Sequence, residues 1–187
     1  MSIEVFDFLI KPLLITKAKK IESHCKPYLK LKVLDVGAGR CYISKRLKNS
    51  GLRVTCLDVK DLSRTDMKVI TYNGKNFPFK TNEFDSALIA YVLHHCEDPM
   101  QVLKEALRVC KGNIVIFEDT MPSPITNGMD FLSNKLRNVE TPFKFRTKSG
   151  WLAIFKKLNL KMIEVKHNVE REWFYPFVEH TMFVVRK

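Results

Sequence analysis

The run Leu31 to Arg40, LKVLDVGAGR, followed by Asp58 at the end of a second apolar run, constrains this chain more than any other feature. Lys32 to Val36 reads as a short buried strand, and Gly37 and Gly39 break it just before CYISKRLKNS, which has helical spacing. Glycines at such a turn let the backbone bend tightly and approach a ligand with no Cβ in the way. The amides that open the following helix then face whatever lies beyond the strand tip. Asp58 closes GLRVTCLD about twenty residues after the first glycine, where a carboxylate can accept hydrogen bonds from two ribose hydroxyls.

This spacing suits several nucleoside-containing cofactors. The nicotinamide and flavin form requires a third glycine in GxGxxG, and that position is Tyr42, which counts against an oxidoreductase. The phosphate loop GxxxxGK[ST] does not occur. A nucleoside ligand without a pyrophosphate to cradle fits best, against the simpler reading of a tight turn followed by a surface aspartate.

Apolar runs at 32–36, 52–58, 68–72, 84–90, 113–118, 161–168 and 178–186 read as strands. Residues 3–26, 40–49, 99–109, 128–138 and 148–158 read as helices, with Pro12 expected to kink or restart the first. Strands alternating with amphipathic helices predict a parallel sheet covered on both faces. The last strand follows NVEREWFYPF without room for a crossover helix, so it should return antiparallel. At DPMQ, Asp98 can cap a helix, Pro99 suits its first position and Gln101 completes a capping-box pattern, with Gly112 near the exit.

With 187 residues, one domain is the expectation. Nothing resembles a signal peptide or a twenty-residue apolar span, which predicts a cytoplasmic protein with no integral membrane association. The five cysteines are widely spaced and form no CxxC, while His94, His95 and Cys96 are consecutive, so no metal site is expected. The formal net charge of +12 favours anionic partners, yet the lysines are not arranged as a recognised nucleic-acid module.

In combination, VLDVGAGR, the acidic strand end at Asp58, NGKNFPF, EFDSALIAYVLHH, the helix opening DP and the strand IVIFED resemble the class I S-adenosylmethionine-dependent methyltransferases. The resemblance is to the small-molecule type that includes quinone and sterol C-methyltransferases, and it spans most of residues 31–120. The family's acidic-x-Gly-x-Gly-x-Gly motif is matched by Asp35, Gly37 and Gly39, with Cys41 in place of the last glycine. It implies a single-domain Rossmann-like α/β fold: a seven-stranded, mostly parallel sheet with one antiparallel strand and helices on both faces.

The resemblance also implies a site for S-adenosyl-L-methionine. Asp35, Gly37, Ala38 and Gly39 would lie near its methionine end, together with Ala90 and Tyr91. Asp58 would hold the ribose, Val59 would flank the adenine, and Asn73 and Gly74 would contact its edge. The alternative use of Asn73-Gly74 is a simple turn, and of Asp35 a strand-end group that holds the glycine loop. His94 and His95 are the candidate catalytic bases, with helix-start packing as the alternative use. Glu118 and Asp119 would face a small-molecule acceptor. Residues 1–30 would pack near the cleft and residues 120–147 would cover the substrate, with Phe131, Phe143, Phe145, Trp173, Phe174 and Tyr175 as candidate lining. The alternative is a catalytically silent domain that binds RNA or a protein partner through its basic surface.

Overall fold

The computed structural model describes residues 3–121, 145–169 and 179–187, and side chains from residue 10 onward within them. The expected helix at 128–138, all but the ends of the expected cover at 120–147, and Phe131, Phe143, Trp173, Phe174 and Tyr175 lie outside the described residues.

The chain opens with α1 (Ile3–Cys25) and a 3-10 turn (Lys26–Tyr28), then runs β1 (Lys32–Val36), α2 (Tyr42–Asn49), β2 (Arg53–Asp58) and β3 (Val69–Thr71). It continues through β4 (Ser86–Ala90), a 3-10 turn (Leu93–His95), α3 (Pro99–Val109), β5 (Ile114–Asp119), α4 (Lys148–Lys157), β6 (Lys161–Lys166) and β7 (His180–Arg186). Seven strands form one sheet in the order β3-β2-β1-β4-β5-β7-β6. The first five are mutually parallel, whereas β7 runs antiparallel to both β5 and β6.

Neighbouring residues of each central strand serve opposite faces, so these strands are apolar throughout. Leu34, Val36, Ala87, Ile89, Ile114 and Ile116 pack with Val102, Leu103 and Ala106 of α3 and with Trp151 and Phe155 of α4. Val33, Leu88, Val115 and Phe117 pack on the other face with Ile21 and Cys25 of α1 and Leu47 of α2.

Two local expectations are refined. Helix α1 continues through Pro12 without a break in the assigned helix. Asp98 caps α3 by accepting from the Gln101 backbone N–H at 3.0 Å, but the Gln101 side chain donates to the Lys75 carbonyl at 3.4 Å. The capping box is therefore half made, and its second half ties α3 to the loop after β3.

Part of the positive charge is met locally, by Lys32–Glu83 at 3.3 Å, Lys45–Asp66 at 2.8 Å and Lys111–Asp85 at 3.0 Å. Among the described residues no helix is long and apolar enough to cross a membrane, and no group of three or more His, Cys, Asp or Glu side chains could hold a metal ion.

Candidate active site

The strand order places a topological switch between β1 and β4: the chain moves outward through β2 and β3, then crosses back. Open parallel sheets bind ligands beyond the strand ends at such a switch. A cleft of about 620 Å³ lies there, within the usual size range for small-molecule sites.

One wall is the glycine loop, which is stitched to the end of β2. Gly37 and Ala38 donate to the Leu57 carbonyl at 2.7 and 3.2 Å, and the Gly39 N–H donates to Asp58 Oδ2 at 2.8 Å. Gly37 has φ of +69°, and a Cβ there would lie 2.3 Å from Val92 Cγ2 on the neighbouring strand's exit. Both conformation and space exclude a side chain. Gly37→Ala should lower stability by about 1–3 kcal/mol and weaken ligand binding, read from thermal unfolding and titration. An unchanged melting temperature would contradict this.

Cys41 stands where the family motif has its last glycine, and it adopts φ of +61° as the N-cap residue of α2. Its buried side chain packs with Cys56 and Met67 beneath the loop. A thiol–thiol hydrogen bond with Cys56, reinforced by burial, pushes the Cys41 thiol up and keeps it protonated.

Asp35 sits behind this loop. It is buried, accepts a hydrogen bond from the Ser44 hydroxyl on α2, and is not among the residues lining the cleft. Burial raises its carboxyl to about 7, against the lowering effect of Ser44 and with a further push from Asp58. Its geometry is that of a group bracing β1 against α2.

The far wall carries Val59, Asn73 and Gly74, all lining the cleft. Asn73 Oδ1 accepts from the backbone N–H groups of Lys75 and Asn76 at 2.9 and 3.0 Å, so both of its lone pairs hold the turn. The side-chain NH2 is the group left to meet an acceptor such as a ring nitrogen. The loop is anchored from below by α3: Glu105 accepts from the Phe77 N–H at 2.7 Å, and Arg108 donates to the carbonyls of Phe79 and Phe77 at 2.8 and 3.0 Å. Glu105 and Arg108 also pair with each other at 2.7 Å, completing the clamp.

The ends of β4 and β5 close the remaining side. Ala90, Tyr91, His94, His95 and Asp119 all line the cleft. His94 is 1% exposed, and its Nδ1 lies 2.6 Å from Glu118 Oε2, while Glu118 Oε1 accepts from the Leu93 N–H at 2.8 Å. Phe145 stacks on the His94 ring with centroids 4.6 Å apart. A carboxylate on Nδ1 fixes that nitrogen as the proton-bearing one and makes Nε2 the acceptor of a neutral ring. His95 lies against His94, ring centroids 3.9 Å apart. Lys17 reaches in from α1, its Nζ 3.6 Å from the Tyr91 ring centroid.

Nine of the ten expected cofactor residues thus line one cleft with both expected histidines, and Asp35 stands behind them. Sequence reasoning missed the Glu105–Arg108 clamp, Lys17 and His180. Only Lys17 carried a signal, its helical spacing from Leu14, Ala18 and Ile21 on the face of α1 that turns inward.

Comparison with known proteins agrees with this architecture. Residues 34–117 match the family model described as a methyltransferase domain. Demethylmenaquinone methyltransferase of Paenarthrobacter aurescens is 34% identical over 100 residues, covering 49% of this chain and 40% of that protein. An uncharacterized protein of Methanocaldococcus jannaschii is 28% identical over 148 residues, covering 74% of this chain and 69% of that one. The solved SAM-dependent methyltransferase of Methanosarcina mazei superposes with a TM-score of 0.66 at 16% identity, covering 87% of this chain and 95% of that one. The S-adenosylmethionine-dependent methyltransferase of Mesorhizobium loti gives 0.65 at 14% identity, covering 86% and 92%. At such identities the superpositions show the fold alone.

Residues 34–117 thus carry a methyltransferase domain, and the chain is similar to the class I S-adenosylmethionine-dependent methyltransferases of the type 11 group. It spans about two fifths of the length of the curated demethylmenaquinone methyltransferases it matches. The family's cofactor fits the residues present: the Gly37 cradle would be filled by a Cβ, Asp58 is a carboxylate tied to the same loop, and Asn73 lines the same cleft.

Proposed function

We propose that this chain transfers the methyl group of S-adenosylmethionine to a small aromatic acceptor bearing an ionisable hydroxyl, of the hydroquinone class. The observation that carries the proposal is the presence, in one cleft, of the Asp58-tied glycine loop and the His94–Glu118 pair. The acceptor class draws on the matched relatives, which are demethylmenaquinone methyltransferases.

S-adenosylmethionine, when bound, supplies a methyl group already activated by its sulfonium. The protein's work is then alignment, exclusion of water and management of one proton. Gly37, Ala38 and Gly39 give close backbone approach, Asp58 receives the ribose hydroxyls, and Val59 and the Asn73 amide bound the adenine. His94 Nε2 takes the proton of the acceptor hydroxyl, which raises electron density on the ring, while Glu118 holds Nδ1 and stabilises the imidazolium formed. Phe145 covers the face of that imidazole.

The test is transfer of label from methyl-labelled S-adenosylmethionine to 1,4-dihydroxynaphthalene. A labelled, singly methylated product is expected, and its absence from a protein that binds the cofactor would reject the acceptor class. His94→Gln should lower kcat on the order of 100-fold with cofactor affinity retained. Equal kcat in the two proteins would remove His94 from the chemistry.

A further inference from the structure

Two consecutive carboxylates end β5, and the antiparallel pairing with β7 sends them to different partners. The register sets Glu118 opposite Thr181 and Asp119 opposite His180. Glu118 is wholly buried and committed to His94 and the Leu93 amide. Asp119 accepts from His180 Nδ1 through one oxygen, and it lines the cleft that Glu118 does not reach. Asp119 is thus largely buried at the wall of that cleft.

The surroundings keep Asp119 charged. Burial works to raise its carboxyl, but the His180 hydrogen bond and the nearby Lys17 ammonium help to outweigh burial and hold it below the usual carboxylate range. Tyr91 links these groups: its ring meets His180 edge-on at 5.2 Å and carries Lys17 Nζ over its face. Tyr91 does this at φ of +59°, a left-handed conformation that is costly outside glycine and that collects at functional sites. A carboxylate held below its usual range is a strong hydrogen-bond acceptor and a weak base. It suits a hydroxyl or N–H that stays protonated, whereas the His94 imidazole suits the one that is lost.

We infer that Asp119 receives a second hydrogen-bond donor of the methyl acceptor, with His180 as its positioning residue, so that the site selects acceptors with two donor groups over those with one. The inference rests on the methyltransferase reading above and deepens it. Glu118 and Asp119 divide the work: one orients the imidazole that takes a proton, the other orients the substrate.

Calorimetric titration of the protein saturated with S-adenosylhomocysteine tests it, under oxygen-free conditions, using 1,4-dihydroxynaphthalene and its monomethyl ether. The wild-type protein should prefer the diol by roughly tenfold or more, the effect of one hydrogen bond to a charged group. Asp119→Asn should collapse that preference, and His180→Gln should reduce it, since an untethered Asp119 no longer holds one orientation. Affinity for S-adenosylhomocysteine in each variant serves as the control for folding. Equal affinity of the wild-type protein for both probes, binding of neither, or an undiminished preference in Asp119→Asn overturns the inference. Failure of S-adenosylhomocysteine itself to bind the wild-type protein overturns the reading on which it rests.

Discussion

Asp58→Ala should weaken binding of S-adenosylmethionine on the order of 100-fold, measured by equilibrium dialysis against the wild-type protein. Two effects combine. The carboxylate is the candidate acceptor for two ribose hydroxyls, and hydrogen bonds to charged groups contribute about 1.5–3 kcal/mol each. It also accepts from the Gly39 amide at 2.8 Å, so its removal unties the loop as well as the ligand. Asp58→Asn separates the two: its amide oxygen can still accept from Gly39, so the loop should stay ordered while the charge at the ribose is lost. An intermediate affinity is expected for Asn, and equal affinities for all three proteins would exclude Asp58 from the site.

The second large effect is on stability. In the folded protein Asp35 is raised from 3.8 to about 7, mainly by burial. A carboxyl whose folded value exceeds its unfolded one contributes stability that is fully present below the unfolded value and is lost as pH rises through the folded one. The window therefore runs from about pH 4 to about pH 7, and the shift corresponds to about 4 kcal/mol across it. Asparagine at this position does not titrate and can still bond Ser44. The stability of Asp35→Asn relative to wild type should thus climb by up to about 4 kcal/mol between pH 4 and pH 8, followed by urea unfolding at each pH. Parallel stability curves for the two proteins would show that Asp35 does not carry this strain.

The Asp35 case shows where sequence reading runs out. Its motif position was legible, and the resemblance implied a role near the methionine end. Whether its carboxylate turns to the cleft or to α2 depends on Ser44, a residue with no motif of its own. Asn73 is similar: the dipeptide Asn73-Gly74 was readable both as a turn and as a ligand contact, and the loop uses the oxygen for the first while the residue still lines the cleft.

Local periodicity and turn chemistry were enough for the strands, for the Asp98 cap and for the antiparallel return of β7, because each depends on neighbours in the chain. The Asp119–His180 pair depends on strand register across 61 residues, and Lys17 meets Tyr91 from a helix far earlier in the chain. Such pairings follow from the assembled topology rather than from any short pattern. Cys41 is an instructive departure, since a non-glycine residue takes the left-handed turn and fills the space beneath the loop with a thiol.

The most direct test of the central claim is calorimetric titration of the purified, ligand-free protein with S-adenosylmethionine and, separately, S-adenosylhomocysteine. Saturable one-to-one binding of both, with dissociation constants near the micromolar range, is the expected result. A protein that is folded by circular dichroism yet binds neither compound at about millimolar concentration would contradict the assignment of this cleft as the cofactor site.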